Sequence, residues 1–90
     1  MLKIVLSNQF KKDLRQAKKR GFKLEKLTEV VNMLARQEPL PGNYRDHNLS
    51  GEYHNFRECH VEPDWLLIYR IENKELELFL FRTGTHSDLF

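Results

Sequence analysis

The fold is decided by residues 52–82, EYHNFRECHVEPDWLLIYRIENKELELFLFR. Three parts of this stretch are rich in apolar, aromatic and β-branched residues, which is typical of β-strands. They are 52–61, 65–71 and 76–82. Glu62-Pro63-Asp64 suits a turn between the first two, and Asn73-Lys74 suits a tight hairpin because asparagine tolerates positive φ. The stretch therefore predicts three strands joined by tight turns.

The chain before this stretch begins with a predicted strand and helix. Apolar residues alternate over 2–6, which indicates a short strand. Apolar residues then recur at spacings of three and four over 10–17, which predicts an amphipathic helix. Ser7 is placed to cap the start of this helix, and Gly21 is placed to end it.

A second helix is predicted over 24–35, where apolar residues again recur at helical spacing. Pro39 and Pro41 cannot continue a helix and open a loop that extends to Gly51. Strands clustered after helices indicate an α+β fold, in which a two-helix hairpin packs on one face of a mainly antiparallel four-stranded sheet. The other face is then free to hold a site. Residues 83–90 form a short tail.

Length and composition predict one cytoplasmic domain, residues 1–90. No apolar run approaches the roughly 20 residues that span a bilayer, so no membrane partner is expected. Met1 to Ser7 has none of the parts of a signal peptide. The single cysteine, Cys59, has no internal disulfide partner, and its strand context predicts a small buried hydrophobic residue rather than a nucleophile.

The net charge of +2 hides a strong asymmetry. Residues 1–26 hold nine lysines and arginines against Asp13 and Glu25, and the rest of the chain is acidic on balance. A basic helical face suits a polyanion such as RNA. An ordinary solvated helix face gives the same pattern, so charge alone leaves the two interpretations open.

The candidate chemistry lies in the histidines, all in the second half: His47, His54, His60 and His86. Asp64 follows His60 by four residues. Histidines with a carboxylate form a plausible acid–base set, and RNA carries its own nucleophile in the 2′-hydroxyl. Arg82 is a candidate to stabilise charge on the phosphoryl oxygens. From spacing alone, scattered surface histidines are an equal alternative, and a zinc site of His54, His60 and Asp64 is a third.

Other catalytic motifs are missing from the sequence. It has no GxxxxGK[ST] phosphate-binding loop, no CxxC pair, no HExxH zinc motif and no GxSxG nucleophile turn. Two aromatic residues remain ambiguous. Trp65 begins an apolar strand and suits either the core or a substrate contact, whereas Phe90 suits stacking on a base.

Several motifs together resemble a known family, the YafQ toxins of the RelE/ParE superfamily. They are DHNL at 46–49, HVEPDWLLIY at 60–69 and FRTGTHSDLF at 81–90. The resemblance covers the whole chain and implies a RelE-like fold. It also implies a ribosome-dependent mRNA endonuclease that inhibits translation as the toxin of a type II toxin–antitoxin system, neutralised by a DinJ- or RelB-like antitoxin. Neither a metal nor another cofactor is expected.

The same resemblance assigns the site residues. It carries His47, His60, Asp64 and His86 over as catalytic positions, and Trp65 and Phe90 as supporting or substrate-contacting ones. By analogy His86 is the general acid, Asp64 or His60 assists deprotonation of the 2′-hydroxyl, and His47 positions the phosphate. Arg82 matches the arginine before the Thr-Gly-Thr-His run, whereas His54 has no counterpart and is expected at the surface.

Two alternatives from other classes remain open. ParE-like relatives share the fold and inhibit DNA gyrase without an acid–base histidine set. A non-catalytic RNA- or ribosome-binding module would use only the basic helices, which we expect to contact ribosomal RNA, and its binding would weaken steeply with salt.

Overall fold

The computed structural model describes all residues, 1–90, as five strands and three α-helices. The strands are β1 (Lys3–Leu6), β2 (His47–Asn48), β3 (Arg57–Glu62), β4 (Trp65–Glu72) and β5 (Glu77–Gly84). The helices are α1 (Asn8–Lys19), α2 (Leu24–Ala35) and α3 (His86–Leu89). Two 3-10 turns, Gly42–Tyr44 and Gly51–Tyr53, flank β2. None of the helices has the length and apolar character needed to cross a bilayer.

The strands form one mixed sheet in the order β1-β5-β4-β3-β2. The α+β class and the antiparallel β3–β4–β5 meander were predicted and are confirmed. The expected number of four strands was wrong, because the loop after α2 contributes the two-residue β2, too short to leave a periodic pattern. The sheet is also mixed, since β1 pairs with β5 in parallel, and the predicted tail contains α3.

The ends of α1 follow the predicted capping. Ser7 Oγ accepts a hydrogen bond from the Phe10 N–H at 2.9 Å and donates one to the Phe81 carbonyl at 2.7 Å, which ties the start of α1 to β5. After Lys19 the chain turns through Gly21, whose φ of +79° suits a residue without a Cβ. The second helix spans the predicted residues and ends at Ala35, ahead of Pro39.

The main core lies between the sheet and the first two helices. Side chains of α1 and α2 pack against alternate residues of β3, β4 and β5, which a pleated strand presents on one face. This cluster includes Phe10, Leu27, Val30, Leu34, Cys59, Leu67, Tyr69, Leu78 and Leu80. Cys59 is fully buried, as predicted, and burial raises the pKa of its thiol, which keeps it protonated.

The opposite face of the sheet, the open face, is partly covered as well. Leu89 of α3 packs on Leu66 and Ile68 of β4, with Phe56 and Phe81 beside them. The prediction of a free second face therefore needs correction, since α3 lies across one end of it. This small helix brings the C-terminal residues to the sheet surface.

The β4–β5 hairpin differs from the predicted tight turn. Four residues, 73–76, connect the strands, because Glu72 pairs with Glu77. The positive φ falls at Leu76 (+54°) rather than at Asn73. The Leu76 N–H donates to the Asn73 carbonyl at 3.3 Å, which closes the turn.

Candidate active site

Three of the four histidines converge at one end of the open face. His47 lies on β2, His60 on β3, and His86 is the first residue of α3. Ring centroids are 6.5 Å apart for His47 and His60 and 5.8 Å apart for His60 and His86. We call these three side chains the imidazole cluster. His54 lies outside it on the exposed turn after Gly51–Tyr53, as expected.

Each ring of the imidazole cluster is held through its Nδ1 atom. Nδ1 of His47 lies 2.6 Å from the Arg45 carbonyl, and Nδ1 of His60 lies 3.2 Å from the Pro63 carbonyl. Nδ1 of His86 lies 2.7 Å from Oδ1 of Asp64. Carbonyl and carboxylate oxygens only accept hydrogen bonds, so Nδ1 carries the hydrogen in each ring. The Nε2 atoms are therefore left for chemistry.

A buried glutamate lies close to two of these Nε2 atoms. Oε1 of Glu58 lies 3.6 Å from Nε2 of His47 and 3.5 Å from Nε2 of His60, with the Glu58 side chain only 8% exposed. The sheet dictates this contact, because His47 is the cross-strand partner of Glu58 and His60 is two residues along the same strand. Sequence reasoning missed Glu58, although its spacing from His60 placed both on one face.

Asp64 is fixed against His86 by two hydrogen bonds. Its Oδ1 accepts from the His86 backbone N–H at 3.0 Å and from Nδ1 of the ring. The backbone hydrogen bond, followed by the ring hydrogen bond, lowers the pKa of the Asp64 carboxyl. Asp64 is therefore an ionised group that orients the His86 ring.

A capping box sets the position of His86. Thr85 Oγ1 accepts from the Asp88 N–H at 3.2 Å, and Asp88 Oδ2 accepts from the Thr85 N–H at 2.9 Å. Asp88 also accepts a hydrogen bond from Arg20 at 2.7 Å, which is the main reason that its pKa is lowered. A Cβ on Gly84 would lie 2.9 Å from the Asp88 side chain, so glycine is needed there.

Arg82 is directed away from the imidazole cluster. Its Nε and Nη2 atoms donate to the two carboxylate oxygens of Asp13 on α1, at 2.8 and 3.3 Å. Asp13 also accepts from the Thr83 N–H at 3.1 Å and raises the pKa of the Arg82 guanidinium. The structure thus places Arg82 in an anchor between α1 and β5.

The two predicted aromatic contacts differ in exposure. Trp65 is 3% exposed, its indole N–H donates to Thr83 Oγ1 at 2.9 Å, and its ring packs edge-on against Phe22 at 5.0 Å. Trp65 therefore belongs to the core. Phe90 is 61% exposed and makes a T-shaped contact with Tyr53 at 5.8 Å, so much of its side chain is accessible to solvent.

A polar network holds the loop that carries His47. The Tyr69 hydroxyl donates to Asp46, and Arg57 pairs with the same carboxylate at 3.2 Å. Arg57 also donates to Asn48 Oδ1 at 2.7 Å. These contacts fix residues on both sides of His47 to β3 and β4. The sequence showed no sign of them, since the partners lie up to 23 positions apart.

A family model described as "Bacterial toxin of type II toxin-antitoxin system, YafQ" matches residues 2–90. The chain belongs to this YafQ toxin family.

Individual relatives agree over almost their full lengths. The chain is 43% identical to the mRNA interferase toxin YafQ of Escherichia coli K12, over 97% of this chain and 94% of the relative. A metal-bound toxin from Helicobacter pylori superimposes with a TM-score of 0.94, 50% identity and full coverage of both chains. The E. coli DinJ–YafQ complex gives a TM-score of 0.89 at 42% identity, covering 100% of this chain and 99% of that one.

The metal in the H. pylori relative raises the question whether the side chains of this protein fit a metal ion. No three histidine, cysteine, aspartate or glutamate side chains are arranged to hold one. No step of the reaction proposed below is routed through a metal.

Proposed function

We propose that this chain is an mRNA interferase that cuts messenger RNA on the translating ribosome and so inhibits translation. The observation that carries the proposal is the imidazole cluster, in which Nε2 of His47 and of His60 lies beside Glu58 and Nδ1 of His86 is bonded to Asp64. Such a set can supply both a proton donor and a proton acceptor to one phosphodiester. The E. coli relative is named an mRNA interferase toxin, which supports the same activity.

The proposed reaction uses the nucleophile that RNA carries. A base removes the proton of the 2′-hydroxyl, and the 2′-oxygen attacks the adjacent phosphorus. The bond to the 5′-oxygen breaks, and an acid protonates that oxygen, leaving a 2′,3′-cyclic phosphate and a 5′-hydroxyl. No water or cofactor is consumed in this step.

The geometry suggests how the roles divide. His86 acts as the acid, because its Nδ1 is bonded to ionised Asp64 while its Nε2 is free. His60 acts as the base, and the neighbouring Glu58 carboxylate stabilises the positive charge that the His60 ring gains with the proton. His47 shares the same glutamate and positions the phosphate. Arg82 acts indirectly, because its guanidinium is bonded to Asp13 and ties α1 to β5. The exposed Phe90 ring stacks on a base of the substrate.

Two partners follow from the proposal. Five exposed cations of α1 (Lys11, Lys12, Arg15, Lys18 and Lys19) have no carboxylate within 4 Å. Unpaired cations along one helix suit the phosphates of ribosomal RNA. By analogy with the E. coli complex, a DinJ-type antitoxin neutralises the chain.

The test compares His86→Ala with His54→Ala in an mRNA cleavage assay on translating ribosomes. Loss of a general acid typically lowers the rate about 10²- to 10⁴-fold, so we expect His86→Ala to abolish visible cleavage. His54→Ala removes an exposed imidazole outside the cluster and should cut like the wild type. Soluble wild-type protein that leaves messages intact, or equal cleavage by both variants, would overturn the proposal.

A further inference from the structure

Next to Asp64 the surface opens into a cleft of about 550 Å³ that the reaction above does not use. One wall is the connection from α1 to the first turn of α2, which supplies Arg20, Phe22, Lys23 and Lys26. The other wall is the β3–β4 turn, residues 62–65, with Thr85 at the site end. We call this space the hairpin cleft. Its volume lies in the range of about 300–1,000 Å³ common for ligand sites.

The cations of the hairpin cleft are available to an anion. Lys23 has no carboxylate within 4 Å, whereas Arg20 pairs with Asp88 at 2.7 Å and Lys26 pairs with Glu62 at 3.0 Å. Both pairs are about half exposed, so each contributes little to stability and can exchange its partner. The cleft thus carries one free positive charge and two that are weakly held, together with the carboxylates of Glu62 and Asp64.

The cleft also has a flat surface for stacking. The Arg20 guanidinium lies over the Phe22 ring at 4.8 Å from its centroid, and Phe22 meets Trp65 edge-on at 5.0 Å. Guanidinium planes and aromatic rings are the surfaces on which proteins stack unpaired RNA bases. A cation can bind the phosphate of a nucleotide, and the stacking layer beside it can bind the base.

We propose that the hairpin cleft binds the nucleotide adjacent to the scissile phosphate, with Lys23 on its backbone phosphate and its base against the Arg20–Phe22 layer. The inference rests on the proposed function, because Asp64 and Thr85 belong both to the site and to the cleft wall. An RNA strand with a phosphate at His86 thereby has a continuous path into the cleft. Lys23 binds substrate, and the imidazole cluster cuts it.

The test uses a trinucleotide RNA whose first and second riboses carry 2′-O-methyl groups, so that neither of its two phosphodiester linkages can be cut. We expect binding to shift the backbone amide resonances of residues 21–23. Lys23→Gln should remove one phosphate contact, lowering the salt slope of binding by about 0.7 and the affinity about fivefold at 0.1 M salt. Lys74→Gln, an unpaired exposed lysine on the β4–β5 turn, is the charge-matched control and should bind like the wild type.

Two results would overturn the inference: amides 21–23 that do not respond to the trinucleotide, or Lys23→Gln binding equal to Lys74→Gln. Weakened binding of the cognate antitoxin by Lys23→Gln, with trinucleotide binding unchanged, would assign the cleft to the antitoxin instead. Cleavage by the wild type on translating ribosomes is measured in parallel. If cleavage is observed but the binding results contradict the cleft, the proposed function stands and only the cleft inference is overturned. If cleavage is absent, the proposed function itself is overturned.

Discussion

At the scale of single residues, the site is organised by acceptors rather than by the histidines themselves. The Arg45 and Pro63 carbonyls and the Asp64 carboxylate each accept one Nδ1–H, and this fixes which nitrogen of every ring carries the hydrogen. Two of these acceptors are backbone atoms, so the tautomers of His47 and His60 depend on the fold of their own loops. Only that of His86 depends on another side chain.

Asp64 gives a prediction in pH. Because hydrogen bonds from His86 lower the pKa of this carboxyl, we expect Asp64 to titrate below the ordinary aspartate value of about 3.9. The stability gained from its ionised form is then fully present above about pH 4 and is lost as pH falls through the lowered value. A carbon-detected NMR titration of the carboxyl measures this midpoint.

The same titration in His86→Ala separates the two hydrogen bonds. The variant keeps the backbone N–H, the larger cause, so the Asp64 midpoint should rise only part of the way. His54→Ala should leave it unchanged. A wild-type midpoint at or above the ordinary aspartate value would contradict the geometry of the Asp64–His86 pair.

The site residues were only partly predictable from the sequence. From their spacing alone, the histidines were as consistent with scattered surface residues as with a catalytic site. Only the family motifs identified three of them, with Asp64, as site residues. Glu58 was detectable in principle, because it shares a strand face with His60. The Asp46–Tyr69–Arg57 network and the Asp13–Arg82 pair were not, since each joins residues whose proximity depends on the completed sheet.

At the scale of elements, α3 is a four-residue helix whose main effect is to place one side chain. Leu89 anchors it on the open face, and the Thr85–Asp88 capping box fixes its first turn. The pattern Thr-x-x-Asp over 85–88 was present in the sequence. The prediction of a tail missed it because a single turn of helix carries no hydrophobic period.

Removal of the cap should therefore act on catalysis through position. We expect Thr85→Ala to cost about 0.5–2 kcal/mol of local helix stability and to lower cleavage at least tenfold, because His86 is the next residue. Hydrogen exchange at the Leu89 and Phe90 amides, which bond to the Thr85 and His86 carbonyls, reports the fraying. Thr85→Ser keeps the hydroxyl and should restore both readouts.

The positioning role of α3 has a clear failure condition. If Thr85→Ala loses amide protection at Leu89 yet cuts RNA at the wild-type rate, α3 does not position His86. If Thr85→Ser behaves like Thr85→Ala, the hydroxyl is not the part of the cap that matters.

At the scale of the whole molecule, charge and chemistry lie on different elements. The unpaired cations of α1 are on the helical layer, whereas the imidazole cluster lies at the end of the open face. The charge asymmetry could be predicted from the sequence, because it depends only on which residues occur in which part of the chain. Its relation to the site was not, because it depends on how the hairpin packs on the sheet.

This separation predicts that binding and cutting can be uncoupled. Lys12→Gln with Arg15→Gln should weaken ribosome binding and lower its salt slope by about 0.7–0.9 for each phosphate that is no longer neutralised. Cleavage at saturating ribosome concentration should be unchanged. Lys3→Gln with Lys74→Gln removes the same charge from exposed positions off α1 and serves as the control. Equal effects of the two double variants would show that only net charge matters.

The parallel pairing of β1 with β5 has a consequence for biosynthesis. Lys3 pairs with Glu77, 74 positions later, so β1 has no strand partner until β5 has been synthesised. Contacts so distant along the chain close late, because the loop entropy is lost before the pairing stabilises anything. Since His86 follows β5, a half-made chain has neither a finished sheet nor a finished site. The order of synthesis thus delays any activity of a nascent toxin until the chain as far as His86 has left the ribosome that makes it.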